Sequence, residues 1–320
     1  MDYNFKNSKF LVTGGAGFIG SNIVEKILNL KQRVVVLDNF STGKKENILK
    51  FLDNPNFSLI KGDIRNLDVC KKACKGIDYI LHNAALGSVQ RSVKDPLTTN
   101  DVNIKGTLNM LIAARERKVK RFVYASSSSV YGDYIDLPKK EDNLGSPLSP
   151  YAITKLVNEL YARNFHSLFK LPTIGLRYFN VFGEKQNPNS LYAAVIPIFI
   201  KQLLNEKAPT IYGDGEQSRD FTYVGNVVDA NLKACLADEK AFGEVFNIAL
   251  GNKITINELL YKISRILKVK SNPKYAPKRL GDIKESMADI SKAKEILNYK
   301  PLYDFNEGLK ITCTWYSDRL

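Results

Sequence analysis

A chain of 320 residues with 44% hydrophobic content has enough apolar side chain for a full core and a second, smaller lobe. No apolar run approaches the length of a bilayer span, and the polar stretch from Met1 to Lys9 leads straight into a strand, so neither membrane insertion nor a secretory signal is expected. The net charge of +14, from 47 basic and 33 acidic residues, is spread over scattered lysines with no arginine-rich tract or nucleic-acid motif. It reads as solvated surface that helps to capture an anionic substrate, not as a nucleic-acid face. Cys70, Cys74, Cys235 and Cys313 form no Cys-x-x-Cys pair, and only His82 and His166 are present to join them. A metal site is therefore not expected, and reduced thiols in a cytoplasm are.

In chain order, Lys9 to Thr13 is a short buried strand, followed by Gly14-Gly15-Ala16-Gly17-Phe18-Ile19-Gly20 and an apolar-periodic helix through Leu30. Gly14 permits a tight turn, Gly17 lets backbone approach a pyrophosphate, and Gly20 lets helix and strand pack closely. The helix start then offers unpaired N–H groups to phosphates. A phosphate loop would need a Gly-Lys-Ser/Thr that is absent here. Arg33 to Asp38 is a second apolar strand ending in a carboxylate, placed to accept bonds from the adenosine ribose hydroxyls and to repel a 2′-phosphate. That favours NAD over NADP, with Lys44 and Lys45 nearby as the only counterweight.

The alternation continues with strands at Phe57 to Lys61 (running into Asp63-Ile64, at the adenine edge), Asp78 to His82, Arg121 to Ser126 and Pro172 to Arg177. Helical patterns at Thr98 to Lys118 and Tyr151 to Phe169 separate them. This predicts an α/β fold, a Rossmann-type doubly wound parallel sheet with its site at the carboxyl ends of the strands. His82 sits at such an end, where a structural role is expected of it. Leu108, Leu111 and Ile112 on one helix, and Leu156, Leu160 and Phe165 on the other, form stripes toward the sheet. Apolar positions left over either line the core or pair with a second copy as a helical bundle, giving a homodimer.

The fifth strand runs into Ser126-Ser127-Ser128-Ser129-Val130-Tyr131-Gly132, which puts hydroxyls where cofactor and substrate meet. Ser149-Pro150-Tyr151 then starts a helix on which Tyr151 and Lys155 share one face. A phenol ionises near ~10, and bringing it to about 7 takes roughly 4 kcal/mol of differential stabilisation, within reach of two nearby cations. After Asn180 the strict alternation stops: helices are expected at Val195 to Asn205, Val224 to Leu236, Ile256 to Leu267 and Ser291 to Leu297, and strands at Thr210 to Tyr212 and Val245 to Ile248. Residues 1–180 thus form an NAD-binding domain and 181–320 mainly a smaller mixed α/β substrate lobe at the C-terminus, with some segments returning to the first domain. A nucleoside diphosphate in that lobe needs fixed cations, and Arg219 and Arg279 are the candidates.

Thr13 to Gly20, Asp38-Asn39, Asp63-Ile64, the Ser127/Tyr151/Lys155 set, Leu176-Arg177-Tyr178-Phe179-Asn180 and Arg219-Asp220-Phe221 together resemble the extended short-chain dehydrogenase/reductases, over essentially the full chain. Ala84 to Ser92 and Gly281 to Ala293 carry a further likeness to UDP-hexose 4-epimerases, in particular the UDP-N-acetylglucosamine 4-epimerases of surface polysaccharide synthesis. The resemblance implies that Tyr151, as phenolate, takes the proton of the sugar 4-hydroxyl, with Lys155 lowering its pKa and Ser127 relaying the proton. Bound NAD accepts and returns the C4 hydride around a 4-keto intermediate. It places Gly14, Gly17, Phe18, Ile19, Gly20, Asp38, Asn39, Ser41, Gly43, Asp63, Ile64, Ala84, Ala85, Asn103 and Tyr178 around NAD. Substrate contacts are implied at Asp282 for the uridine ribose, at Tyr212, Ala194 and Val195 for uracil, and at Asn180 for the diphosphate or an outer hydroxyl. Ser286 stands where epimerases restricted to UDP-glucose and UDP-galactose carry a bulky aromatic, leaving room for a 2-acetamido group beside Gly87, Ser88, Ser128, Ser129 and Gln186. A 4,6-dehydratase of this fold carries an Asp-Glu pair at the place of Ser128 and Ser129, and serines cannot do that acid–base work. A UDP-hexuronate or UDP-N-acetylhexosaminuronate 4-epimerase is the alternative, and a non-catalytic NAD-binding scaffold the reading from another class.

Overall fold

The computed structural model describes residues 3–190, 194–278 and 284–319. Six strands, β1 (Lys9–Thr13), β2 (Arg33–Asp38), β3 (Phe57–Lys61), β4 (Tyr79–His82), β5 (Arg121–Ser127) and β6 (Thr173–Tyr178), join Val245–Ile248 in one seven-stranded sheet. Its order is Val245–Ile248, β6, β5, β4, β1, β2, β3, and every pairing is parallel. Strands this apolar need cover on both faces: Phe10, Leu11 and Val12 of β1 are all 0% exposed. Helix α1 (Phe18–Asn29) and the helix Val224–Leu236 pack together on one face; α2 (Leu67–Ala73), with the helices Gly106–Glu116 and Pro150–Phe169, covers the other.

The chain builds β1, β2 and β3 outward on one side, then returns across β1 to start β4. The crevice between β1 and β4 is the switch point, and Thr13 there pairs with both Leu37 and His82. His82 is buried between Thr13 Oγ1 (2.7 Å) and Thr107 Oγ1 (3.0 Å). Burial lowers its pKa to about 3, so it is a neutral structural side chain.

Three expectations change in detail. The helix expected over Thr98 to Lys118 starts earlier and is interrupted. After α3 (Val89–Lys94), α4 (Pro96–Asn100) is capped by Asp95, a wide π-type turn spans Asp101–Lys105, and α5 (Gly106–Glu116) follows. The wide turn places Asn103 inward, and Gly106 lies so close to Ile64 that a Cβ would sit 2.5 Å from its Cδ1. On α6 (Pro150–Phe169), Leu160 does not face the sheet: it is 58% exposed, because the buried stripe runs through Ala152, Lys155, Glu159, Ala162 and Phe165. Finally, Val245–Ile248 pairs with β6 in the main sheet and is not part of the smaller lobe. A four-residue strand with one polar residue looks alike in either place, and only long-range pairing distinguishes them.

The remaining lobe packs Val195–Leu204, Ile256–Leu267 and Phe305–Ser317 into a separate apolar cluster. Its strands are short pairs, Thr210–Tyr212 with Lys274–Ala276 and Ser218–Arg219 with Ile254–Thr255. No helix among the described residues is long and apolar enough to cross a membrane.

Candidate active site

The carboxyl ends of the sheet open into a cleft of about 580 Å³. Its floor is the glycine turn. Gly14 adopts φ +67, and a Cβ there would lie 2.8 Å from Ala84 N; a Cβ on Gly20 would lie 2.2 Å from Gly14 O. No side chain caps α1, and Phe18, Ile19 and Gly20 of its first turn line the cleft beside Gly17, leaving that turn's N–H groups for an anion. Asp38 lines the next stretch, its Oδ2 accepting from Ala16 N (2.9 Å) and its Oδ1 from Phe40 N (2.8 Å). Asn39, Ser41, Gly43, Asp63, Ile64, Ala84 and Ala85 continue the wall. The Arg65 guanidinium bonds both Asp63 oxygens and, with Asn39, pulls that carboxyl down to about 2. Lys44 and Lys45 are exposed and do not line the cleft.

Asn103 is not on the wall but behind it. Its Oδ1 accepts from Leu86 N (2.8 Å) and its Nδ2 donates to Thr154 Oγ1 (3.1 Å), so it props the 84–87 loop. Asn83, which sequence reasoning passed over, does line the cleft, and both of its side-chain polar atoms are buried without a protein partner. An orphaned amide beside a glycine cradle and an uncapped helix start fits a polar dinucleotide.

Tyr151, Lys155 and Ser127 meet beyond this cradle. Ser149 caps α6 through Ala152 N (3.1 Å), and Pro150 occupies the first turn, which starts the helix one residue ahead of Tyr151. Lys155 Nζ donates to Ala125 O at 2.7 Å and lies 5.8 Å from the centre of the Tyr151 ring. Burial lowers its pKa to about 8, against the opposing pull of Glu159. Burial raises the Tyr151 phenol, and the Ser127 hydroxyl bonded to it works in the other direction. Ser127 Oγ in turn accepts from Ser129 Oγ (3.0 Å) and Ser129 N (3.2 Å). In the protein alone, burial thus favours the neutral phenol of Tyr151.

Ser128, Ser129, Gly87, Asn180, Gln186, Arg219, Ser286 and Tyr178 also line this cleft. A second cavity of about 370 Å³ holds Ala194, Val195 and Tyr212, and shares Asn180, Val181 and Arg219 with the first. Arg219 thus stands at the junction of the two. Ser88 lines neither; its hydroxyl accepts from Arg91 N (3.1 Å) as the cap of α3. Arg279 and Asp282 lie outside the described residues. Asp220, missed as a functional position, draws this wall together by accepting from Leu250 N (3.0 Å), Gly251 N (3.0 Å) and Ala288 N (3.2 Å). Burial pushes its pKa up to about 6.

A glycine cradle at a parallel sheet's switch point, with a serine, a tyrosine and a lysine meeting beside it, defines a nicotinamide-dinucleotide-dependent enzyme of the short-chain dehydrogenase/reductase class. The profile of the NAD dependent epimerase/dehydratase family matches residues 10–249. The chain belongs to that family, and its cofactor is NAD. It is similar to a UDP-N-acetylglucosamine 4-epimerase from Methanobrevibacter ruminantium M1, solved with UDP-N-acetylmuramic acid, at 43% identity, TM-score 0.93 and coverage of 99% of this chain and 100% of that one. A UDP-glucose 4-epimerase from Thermotoga maritima, solved with UDP-glucose, is 36% identical with TM-score 0.91, covering 97% and 99%. A UDP-glucuronic acid 4-epimerase from Bacillus cereus, solved with UDP-glucuronic acid and NAD, is 35% identical with TM-score 0.89, also covering 97% and 99%.

Proposed function

We propose that the chain is a UDP-sugar 4-epimerase that interconverts UDP-GlcNAc and UDP-GalNAc and tolerates UDP-Glc and UDP-Gal. The observation that carries this is Ser286: its small side chain lines the same cleft as Ser128, Ser129, Gly87 and Gln186, a set of small and polar residues that leaves room for a 2-acetamido group. The likeness to the Methanobrevibacter enzyme supports it.

In this reading Gly14, Gly17 and the N–H groups of the first turn of α1 hold the NAD diphosphate, Asp38 holds the adenosine ribose, and Asp63 and Ile64 border the adenine. When bound, oxidised NAD supplies a reversible acceptor for the C4 hydride and a positive charge beside Tyr151. Tyr151 Oη then gives up its proton more easily and takes that of the sugar 4-hydroxyl, which Ser127 orients. Lys155 holds the phenolate by charge, and Tyr151 returns the proton when the opposite face has been reduced. Arg219 binds the diphosphate between the two cavities, which lets the sugar turn while the nucleotide stays. Arg279 and Asp282 would complete the nucleotide site.

Two further features belong to this proposal. Val93 (64% exposed), Leu97 (83%), Ile153 (49%) and Leu160 (58%) lie on α3, α4 and α6, which pack together, and form an apolar face suited to a homodimer through a helical bundle. Four buried, unpaired cysteines suit a cytoplasmic enzyme supplying polysaccharide precursors.

The test is incubation of the NAD-loaded protein with UDP-GlcNAc, UDP-Glc and UDP-GlcA, with product identity read by NMR. Appearance of UDP-GalNAc is expected. Turnover of UDP-GlcA alone would replace this reading with a uronate 4-epimerase, for which the Bacillus cereus likeness speaks.

A further inference from the structure

Behind the active site lies a buried ion pair that the reaction does not use. Arg177 of β6 is 2% exposed and Glu159 of α6 is 7% exposed; Arg177 Nε and Nη2 donate to the two Glu159 oxygens at 2.9 and 2.8 Å. Such a pair loses about as much in desolvation as it gains in attraction, so its presence argues for a role in fixing register more than for stability. Its other bonds show which parts it registers. Ser126 Oγ donates to Glu159 Oε1, while Lys155, one helical turn before Glu159, donates to Ala125 O. The end of β5 is thereby pinned to α6 at Ala125 and Ser126, the two residues before Ser127.

In the other direction Arg177 Nη1 donates to Tyr131 Oη (3.1 Å) and to Glu141 O (2.8 Å), and Tyr131 Oη donates to Asn247 Oδ1 (2.6 Å). Asn247 Nδ2 donates to the carbonyls of Lys139 (2.9 Å) and Asp289 (3.0 Å). Lys139 and residues 287–289 are bonded through Lys139 N to Met287 O (2.8 Å) and Asp289 N to Lys139 O (2.9 Å). Ser286, which lines the cleft, directly precedes that segment. A continuous path of hydrogen bonds thus runs from the helix of Tyr151 and Lys155 to the segment beside Ser286.

We propose that Arg177, through Glu159 on one side and Tyr131 and Asn247 on the other, is a positioning residue that holds the Ser286 strip in register with the proton-relay groups. Choice of sugar is then set partly by Arg177, Glu159 and Asn247, which do not line the cleft, acting through Tyr131, which does. The kinetic part rests on the epimerase reading; the structural part does not.

The Tyr131→Phe variant tests it, because it removes one hydroxyl while leaving the ring packing and the Arg177–Glu159 pair. Losing the linking bond is expected to lower kcat/KM for UDP-GlcNAc about fivefold and to change the UDP-GlcNAc to UDP-Glc rate ratio about threefold, with wild-type NAD retention. Amide exchange at Lys139 and Asp289 should quicken about fivefold. An unchanged rate ratio overturns the proposal even if exchange quickens, since the path would then be structural only. Unchanged exchange overturns it as well. If the wild type epimerises no UDP-sugar, the epimerase reading falls and the exchange measurement decides the network by itself.

Discussion

The two halves of the cleft are held by different kinds of force. The cofactor side sits on strands paired residue by residue in an unbroken parallel sheet, so Thr13, Asp38 and His82 are each fixed by ladders on their own and neighbouring strands. The sugar side is held by short bridges between distant segments: Ser218 N to Lys284 O (3.0 Å) with Ser286 N to Ser218 O (3.2 Å), Asp220 to three backbone N–H groups, and the Asn247 links. A ladder shares any strain over many bonds, whereas a bridge of two or three bonds has few to share it. Cofactor binding should therefore resist change on the sugar side, and sugar preference should shift under small changes.

Substitutions can break or sharpen that contrast. The largest effect is expected at the junction: Tyr151→Phe removes the proposed proton carrier and should lower kcat by roughly 10³-fold with NAD still bound, and activity within tenfold of wild type would remove Tyr151 from its role. Gly20→Ala attacks the rigid side. Its Cβ would meet Gly14 O at 2.2 Å, in backbone that cannot yield, and overpacking of this kind costs about 1–3 kcal/mol. A lower melting temperature and loss of co-purifying NAD are expected; an alanine variant that kept both would show the turn to be pliable.

On the softer side, Ser286→Tyr should lower the UDP-GlcNAc to UDP-Glc rate ratio about tenfold without moving NAD retention. A changed NAD content would mean that the two halves are not independent. The smallest effect is with pH. Lys155 is cationic below its pKa, which burial has lowered to about 8, so its charge is lost as pH rises through that value. A rate profile should decline a few-fold on that alkaline limb. A flat profile to well above it would show that Lys155 keeps its proton by another means.

Much of the cofactor half was legible because its signals are local. Strand, glycine turn, helix and terminal acid follow one another within Lys9 to Asp38, and each demands its residue for a reason internal to that stretch. The same holds for Ser149-Pro150-Tyr151, where cap, first-turn proline and tyrosine are neighbours. Asn103 was misplaced because its role depends on a π-type turn and on Thr154, neither of which its neighbours announce. Leu160 was turned to the wrong side because several apolar phases fit the helix, and only packing selects among them. Asp220 reads as an ordinary charged residue until residues 250, 251 and 288 arrive around it.

What the residues determined unaided is an order of local features along the chain: a glycine turn of dinucleotide type, a strand that ends in an acid, and a serine, tyrosine and lysine on elements further on. Tertiary structure alone decided that Val245–Ile248 completes the main sheet, that Arg219 stands where two cavities join, and that Ser286 lines the same cleft as Ser128 and Ser129. The reason is physical. Turn geometry, capping and helical phase act over a few residues and leave their mark there, while sheet completion and cavity walls depend on contacts between segments whose partners no local pattern encodes.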